Sequence, residues 1–332
     1  MIENLQRRLK IFTWHIHGSY LFYLSQGPYD IYIPVTTPVR EGYYGRGETF
    51  PFGSNVIEVP AEEVKDMSFD CILFQTNNNF FKDQYELLSP EQRMLPRIYL
   101  EHDPPWQQPA DSLHPVTDPD VLMVHVTAFN KLMWHNVNRR VEIVDHGVMP
   151  ASAPYTGELE RGIVVVNHLH QRGRKLGADI YDQVSHTVPL DLAGMGTAPY
   201  GGLGEVLHPQ LPQFIGRYRF FFNPIRYTSL GLAVLEAMML GMPIVALATT
   251  EYTTVIRDGY NGFIHTDIDY LAGKMKLLLA DKDLARELGD NARTTAQQRF
   301  SINRFTQRWL QIFESAIGTK KHHYEKEDSI YQ

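Results

Sequence analysis

The sequence predicts an α/β protein built as two doubly wound domains. Short β-rich apolar runs alternate with helical patterns, and this alternation occurs in two successive series. A stretch rich in proline, glycine and small residues, ASAPYTGELERG, separates the series just after Pro150. The chain has 332 residues, 43% apolar and 12% aromatic, enough to fill two cores.

In the first series, strands are expected at 10–15, 31–35, 70–75, 97–101, 121–126 and 141–145. Several are continuously apolar, as strands covered on both faces of a parallel sheet must be. The second series predicts a strand at 162–167 (GIVVVN), a helix at 178–185, and strands at 190–193 and 217–222 (RYRFFF). A helix at 229–240 and a strand at 243–247 follow. The domains are therefore 1–150 and 151–302, with a C-terminal helix at 303–318 expected to pack back on the first. The polar tail 319–332 has the composition of a disordered segment. Ligands of such sheets bind beyond the carboxyl ends of the strands, which sets the expected site in a crevice between the domains.

Composition narrows the function. A net charge of −7 and a pI near 6 exclude the basic footprint of a nucleic-acid binder. The single cysteine, Cys71, excludes an internal disulfide or a paired-thiol metal site and fits a reducing, cytoplasmic compartment. The opening MIENLQRRLKIFTW mixes charge into its first ten residues and does not read as a leader. No apolar run reaches the ~18 residues of a membrane span, although peripheral membrane contact stays compatible with the sequence.

Chemistry concentrates in FFFNPIRYTSLGLAVLEAMMLGMPIVAL, 220–247, which reads strand, polar loop, helix, tight turn, strand. Thr228 and Ser229 suit a helix cap, Gly231 allows close backbone approach, and Gly241 with Pro243 stops the helix. The amides of Ser229, Leu230, Gly231 and Leu232 are then open to an anion, because a helix N-terminus carries unpaired N–H groups and roughly half a positive charge. Glu236 is the only charged side chain between Arg226 and Glu251. A carboxylate in so apolar a helix needs hydrogen bonds. Two vicinal ribose hydroxyls would supply them, and so would a neighbouring backbone or basic group. Arg172, Arg174 and Lys175 cluster after the 162–167 strand as candidate cations for a diphosphate, or as a solvated surface.

This segment resembles the donor-binding core of retaining GT-B glycosyltransferases, in particular glycosyltransferase family 4. The likeness rests on Thr228-Ser-Leu-Gly-Leu, Leu235-Glu-Ala-Met, Gly241-Met-Pro and Ile244-Val-Ala. The resemblance implies two Rossmann-like domains facing across a cleft, with the donor ribose held by Glu236. The family's other glutamate, which contacts the transferred sugar, falls on Thr228, so sugar preference and activity turn on that position. GIVVVNHLHQRGRKLGAD resembles the family's strand with its diphosphate-gripping Arg and Lys; His168 stands for the Arg, and Arg174 or Lys175 supplies the second cation. Arg257-Asp-Gly-Tyr-Asn-Gly-Phe matches the turn before the family's penultimate strand, and GMGTAPYGGLG its glycine loop beside the donor site.

In the first half, IFTWHIHGSYLFYL resembles the family's first glycine loop, with Gly18 and Ser19 near donor phosphate and acceptor. RIYLEHDPPW resembles its strand-end histidine and proline loop over the transferred sugar, which makes His102 a candidate catalytic residue; a surface histidine is the plain alternative. Asp118-Pro-Asp120, Asp267-Ile-Asp269 and Asp281-Lys-Asp283 have the Asp-x-Asp form of a manganese site but read better as loop and cap chemistry. His322-His323 lacks acidic or thiol partners at ligand spacing. No Gly-x-Ser-x-Gly elbow or His-Glu-x-x-His helix is present.

The resulting expectation is transfer of a hexose-type sugar from a nucleoside diphosphate to an unidentified saccharide, lipid-linked or small-molecule acceptor. Configuration is retained, no metal or other cofactor is expected, and the first domain supplies the acceptor pocket. A catalytically degenerate GT-B partner subunit and a GT-B nucleotide-sugar epimerase are the alternatives.

Overall fold

A computed structural model describes residues 7–137 and 140–328, without the side chains of 319–328. The chain divides into two compact units, one running to Asp145 and resuming at Asn303, the other His146–Ile302. The division falls ahead of Pro150, within the short extended run that follows the first sheet.

The first unit is a parallel sheet of seven strands in the order β3-β2-β1-β4-β5-β7-β9. These are β1 (Lys10–Phe12), β2 (Asp30–Val35), β3 (Val56–Pro60), β4 (Cys71–Phe74), β5 (Arg97–Glu101), β7 (Val121–His125) and β9 (Val141–Ile143). A small parallel pair, β6 (Ser112–Leu113) and β8 (Trp134–His135), lies apart from the sheet. Ile11 sits between Ile31 and Cys71 at the centre, and β4, like β7, is buried along its whole length. Continuous apolar runs thus mark the middle of the sheet.

Sequence reading missed β3. Its alternating VIEVP contains Glu58 and ends in Pro60, which looks unlike a core strand. It is an edge strand, where a residue without an N–H is tolerated. The expected first strand is also too long. β1 stops at Phe12, because the His15 amide turns to the carbonyl of Gly42 in an antiparallel bridge.

The C-terminal helix Ile302–Asp328 belongs to the first unit. Trp309 is fully buried and its indole N–H donates to the Tyr20 hydroxyl at 3.0 Å, while Phe313 packs edge-on to Tyr29. The helix runs past Ile317 to Asp328, a correction to the disorder expected from residue 319. After Gly318 the sequence has no helix breaker, and Lys, His and Glu continue the helix. The leader reading of residues 1–6 and the tail 329–332 lie outside the described residues, as do the side chains of His322 and His323.

The second unit carries β10 (Leu159–Val165), β11 (Leu190–Ala193), β12 (Tyr218–Asn223), β13 (Ile244–Leu247) and β14 (Gly262–His265). All are parallel, in the order β11-β10-β12-β13-β14. Phe220 and Phe222 of β12 pack with Val164, Leu192, Val245 and Leu271 in one core. β14 is the last strand of this sheet, whereas the turn before it resembled one preceding a penultimate strand. No described helix is long and apolar enough to cross a membrane.

Candidate functional site

The strand order of each sheet reverses direction once, and a doubly wound sheet binds ligands at the carboxyl ends of the strands on either side of that point. In the second unit the pair is β10 and β12. The chain leaves β10 through Val166 and Asn167 to His168, and leaves β12 through Pro224 toward Leu232. Residues 168 and 224–232, separate in sequence, therefore come to one end of one sheet.

Hydrogen bonds tie these loops together. The amides of Arg226 and Tyr227 donate to the carbonyl of Lys175, at 3.0 and 3.3 Å. Arg226 grips Asp179 through both terminal nitrogens, at 2.6 and 2.8 Å, and also donates to the carbonyl of Arg174. The Arg226 guanidinium holds the Asp179 carboxyl below its usual range. Arg174 is exposed and shares Asp179 at 2.6 Å; Lys175 is exposed beside it. The predicted cations and the predicted helix entrance are one assembly, and its clamp is Arg226–Asp179. Arg226 was legible as the last charge before the apolar helix, but its partner, beyond Arg174 and Lys175, carried no signal.

The helix itself begins later than expected. It runs Leu232–Leu240, with Gly231 as N-cap and no side-chain cap, so Thr228 and Ser229 do not cap it. Residues 228–231 lie outside the helix, with a bend at Ser229, and Ser229 and Leu230 are buried. The Gly231 amide is not open either: it donates to the hydroxyl of Tyr252 at 3.1 Å, a buried phenol pushed up to about 12 by desolvation. Within the helix, the first-turn amides of Leu232 and Ala233 have no carbonyl acceptor. The stop is as read. Gly241 adopts φ 93°, and Arg293 covers the end by donating to the Leu240 carbonyl at 2.7 Å.

Glu236 lies on that helix with its side chain 13% exposed, and His208 Nε2 donates to its Oε1 at 3.1 Å. The carboxylate therefore has the basic neighbour that the sequence left open. His208 was missed; it precedes the Leu211–Ile215 helix in a loop with no recognisable pattern.

His168 occupies the left-handed region at φ 55°, with its amide donating to the Met195 carbonyl at 2.7 Å. Its imidazole lies on the glycine loop: a Cβ added at Gly196, itself at φ 70°, would sit 2.6 Å from His168 Nδ1. Only glycine lets loop and ring approach so closely.

In the first unit the reversal falls between β1 and β4. Gly18 and Ser19 open the Gly18–Leu24 helix just after β1, His102 follows β5, and the His17 and His102 rings approach to 4.1 Å. The structure brings Gly18, Ser19 and His102 into one neighbourhood of this unit. It holds Thr228, Ser229, Leu230, Gly231, Leu232, Glu236, His168, Arg174 and Lys175 within the other. The Asp-x-Asp pairs have structural partners: Asp118 accepts from the Asp120 amide and pairs with Arg97 at 2.9 Å, and Asp267 and Asp281 cap helices. Among the described residues no group of metal-ligating side chains converges.

A parallel sheet ordered around a reversal in each unit, with the helix entrance at one of them, defines two Rossmann-like α/β domains of the GT-B type. Solved structures agree over almost the whole chain. Anabaena HepE, in complex with UDP and glucose, superposes with a TM-score of 0.67 at 13% identity, covering 93% of this chain and 100% of HepE. Sucrose-phosphate synthase from Thermosynechococcus elongatus gives 0.66 at 14% identity, covering 94% and 100%. At such identities the likeness establishes the fold. Residues 202–295 match the glycosyl transferases group 1 family. Over 85 residues the chain is 35% identical to trehalose synthase of Thermococcus litoralis, a match spanning 26% of this chain and 21% of that enzyme. The family match at 202–295 includes the Leu232–Leu240 helix and Glu236.

Proposed function

We propose that the protein transfers a hexose-type sugar from a nucleoside diphosphate to an acceptor with retention of anomeric configuration. The observation that carries this reading is the assembly at the ends of β10 and β12. A helix N-terminus at Leu232 and Ala233 and a mostly buried Glu236 on the same helix follow β12, and the Arg174–Lys175 turn, tied to the amides of Arg226 and Tyr227, follows β10. Its helix and Glu236 lie within the region matching group 1 glycosyl transferases, and a structure of the same fold holds UDP and glucose.

In this reading the first-turn amides, with Arg174 or Lys175, stabilise the departing diphosphate, and Glu236 accepts hydrogen bonds from the ribose hydroxyls. The acceptor oxygen bonds to the anomeric carbon as the carbon–phosphate-oxygen bond breaks, and the hydroxyl proton passes to the leaving phosphate on the same face. No carboxylate base is required. His102 contacts the transferred sugar, a role that rests on the resemblance of RIYLEHDPPW. Thr228, in place of the family's sugar-contacting glutamate, sets the sugar preference.

Thr228 also supports a second reading, a nucleotide-sugar-binding subunit without transferase activity. Incubation with UDP- and GDP-hexoses and candidate acceptors, with the product's anomeric configuration read by proton NMR, tests the proposal. The expected product keeps the donor's configuration. An inverted product contradicts retention, and tight donor binding without product favours the second reading.

A further inference from the structure

We propose that Gln75 is a positioning residue that holds the His102 imidazole in a single tautomer, with its proton on Nε2 and Nδ1 as the acceptor nitrogen. Gln75 directly follows β4 and Thr13 directly follows β1, so the two lie side by side at the switch point, both buried.

The Gln75 amide nitrogen stands 2.9 Å from Thr13 Oγ1 and 2.9 Å from the Trp14 carbonyl oxygen. A carbonyl oxygen only accepts, so the group facing it must be the amide N–H2; the flipped orientation would press two oxygens together with no proton between them. Thr13 Oγ1 donates its own proton to the Leu73 carbonyl at 2.8 Å and so accepts from Gln75. Both amide protons are then committed, and Gln75 Oε1 is left as an acceptor. It lies 3.0 Å from His102 Nε2. That nitrogen must carry a proton, and in the neutral ring Nδ1 carries none.

The ring is also held in place. His17 lies against it at 4.1 Å between centroids, and Tyr20 meets it edge-on at 4.8 Å. Tyr20 is braced in turn by the Trp309 indole, and Asn130 Nδ2 donates to the His102 backbone carbonyl at 3.0 Å. A chain of donors and acceptors starting in the backbone of β4 thus fixes which side of the imidazole accepts. On the proposed function, on which this step rests, Nδ1 receives a hydrogen bond from a hydroxyl of the transferred sugar. That interaction requires the Nε2–H form.

The test is the ¹⁵N spectrum of histidine-labelled full-length protein, with the His102 signals assigned by comparison with His102→Gln. The expected result is a protonated Nε2 and an unprotonated Nδ1 at neutral pH, shifting to a mixture of tautomers in Gln75→Leu. A protonated Nδ1 in the unsubstituted protein overturns the assignment, as does a single unchanged tautomer in Gln75→Leu. In the same variant kcat for transfer should fall about tenfold, as loss of one oriented hydrogen bond would cause, while the nucleotide Kd stays unchanged. An equal weakening of nucleotide binding would make Gln75 merely structural and contradict the positioning role. The spectrum stands independently of turnover, so failure of transfer with the Nε2–H tautomer present would count against the proposed function alone.

Discussion

Replacing Glu236 by glutamine separates the fold from the nucleotide site. The substitution is isosteric and leaves one oxygen able to accept from His208 Nε2, the contact seen at 3.1 Å, so the helix and its neighbours should stay in place. The ligand would lose more. In the proposed complex the carboxylate accepts from two ribose hydroxyls, and a hydrogen bond to a charged group contributes ~1.5–3 kcal/mol. Glutamine turns an N–H2 toward one hydroxyl and offers the other a neutral acceptor, so about 2–3 kcal/mol should be lost, or roughly 30- to 150-fold in Kd. Partial burial, with 13% and 19% of the two side chains exposed, keeps solvent from screening this difference. Isothermal titration of UDP and GDP into both proteins reads the change, with thermal unfolding as the control for folding. A nucleotide Kd within twofold of the original, with the unfolding temperature preserved, would refute ribose binding by Glu236.

Further substitutions probe the supports. Gly196→Ala places a methyl against His168 at a left-handed backbone position, and should cost about 1–2 kcal/mol of stability and weaken nucleotide binding; denaturant titration and calorimetry check both. Arg226→Ala releases Asp179, but both groups are about a third exposed, so the stability loss should stay near ~1 kcal/mol, while nucleotide affinity falls several-fold as the 174–175 turn loosens. Trp309→Ala empties a fully buried site under the C-terminal helix and should cost ~3–5 kcal/mol, seen as a lower urea midpoint. Burial pushes the His125 imidazole down to about 4 from 6.5. The folded state therefore prefers it neutral: its contribution is whole above pH 6.5 and declines as pH falls toward 4, by about 3 kcal/mol. A His125→Asn variant should show a flatter urea midpoint over that range, and an unchanged slope would contradict the assignment.

Much of the fold was legible because central parallel strands must be apolar on both faces. Runs such as Cys71–Phe74 and Tyr218–Asn223 announce themselves, and Arg97–Glu101, Ala178–Ser185 and Leu190–Ala193 match the expected bounds residue for residue. β3 escaped because an edge strand need not be apolar throughout, and VIEVP carries a glutamate and a proline. The helix entrance was misplaced because Thr228 and Ser229 are good capping residues by type, yet the helix begins only after Gly231. Long-range polar partners were the least visible. His208 meets Glu236, Asp179 clamps Arg226 and Gln75 reaches His102 only through the fold, and no local periodicity records such pairings.

The most direct measurement is nucleotide release from a panel of UDP- and GDP-hexoses by the full-length protein, with and without acceptors. Release from at least one donor is expected, stimulated by an acceptor and sharply reduced in Glu236→Gln. Tight nucleotide binding with no release from any donor would contradict sugar transfer at this site.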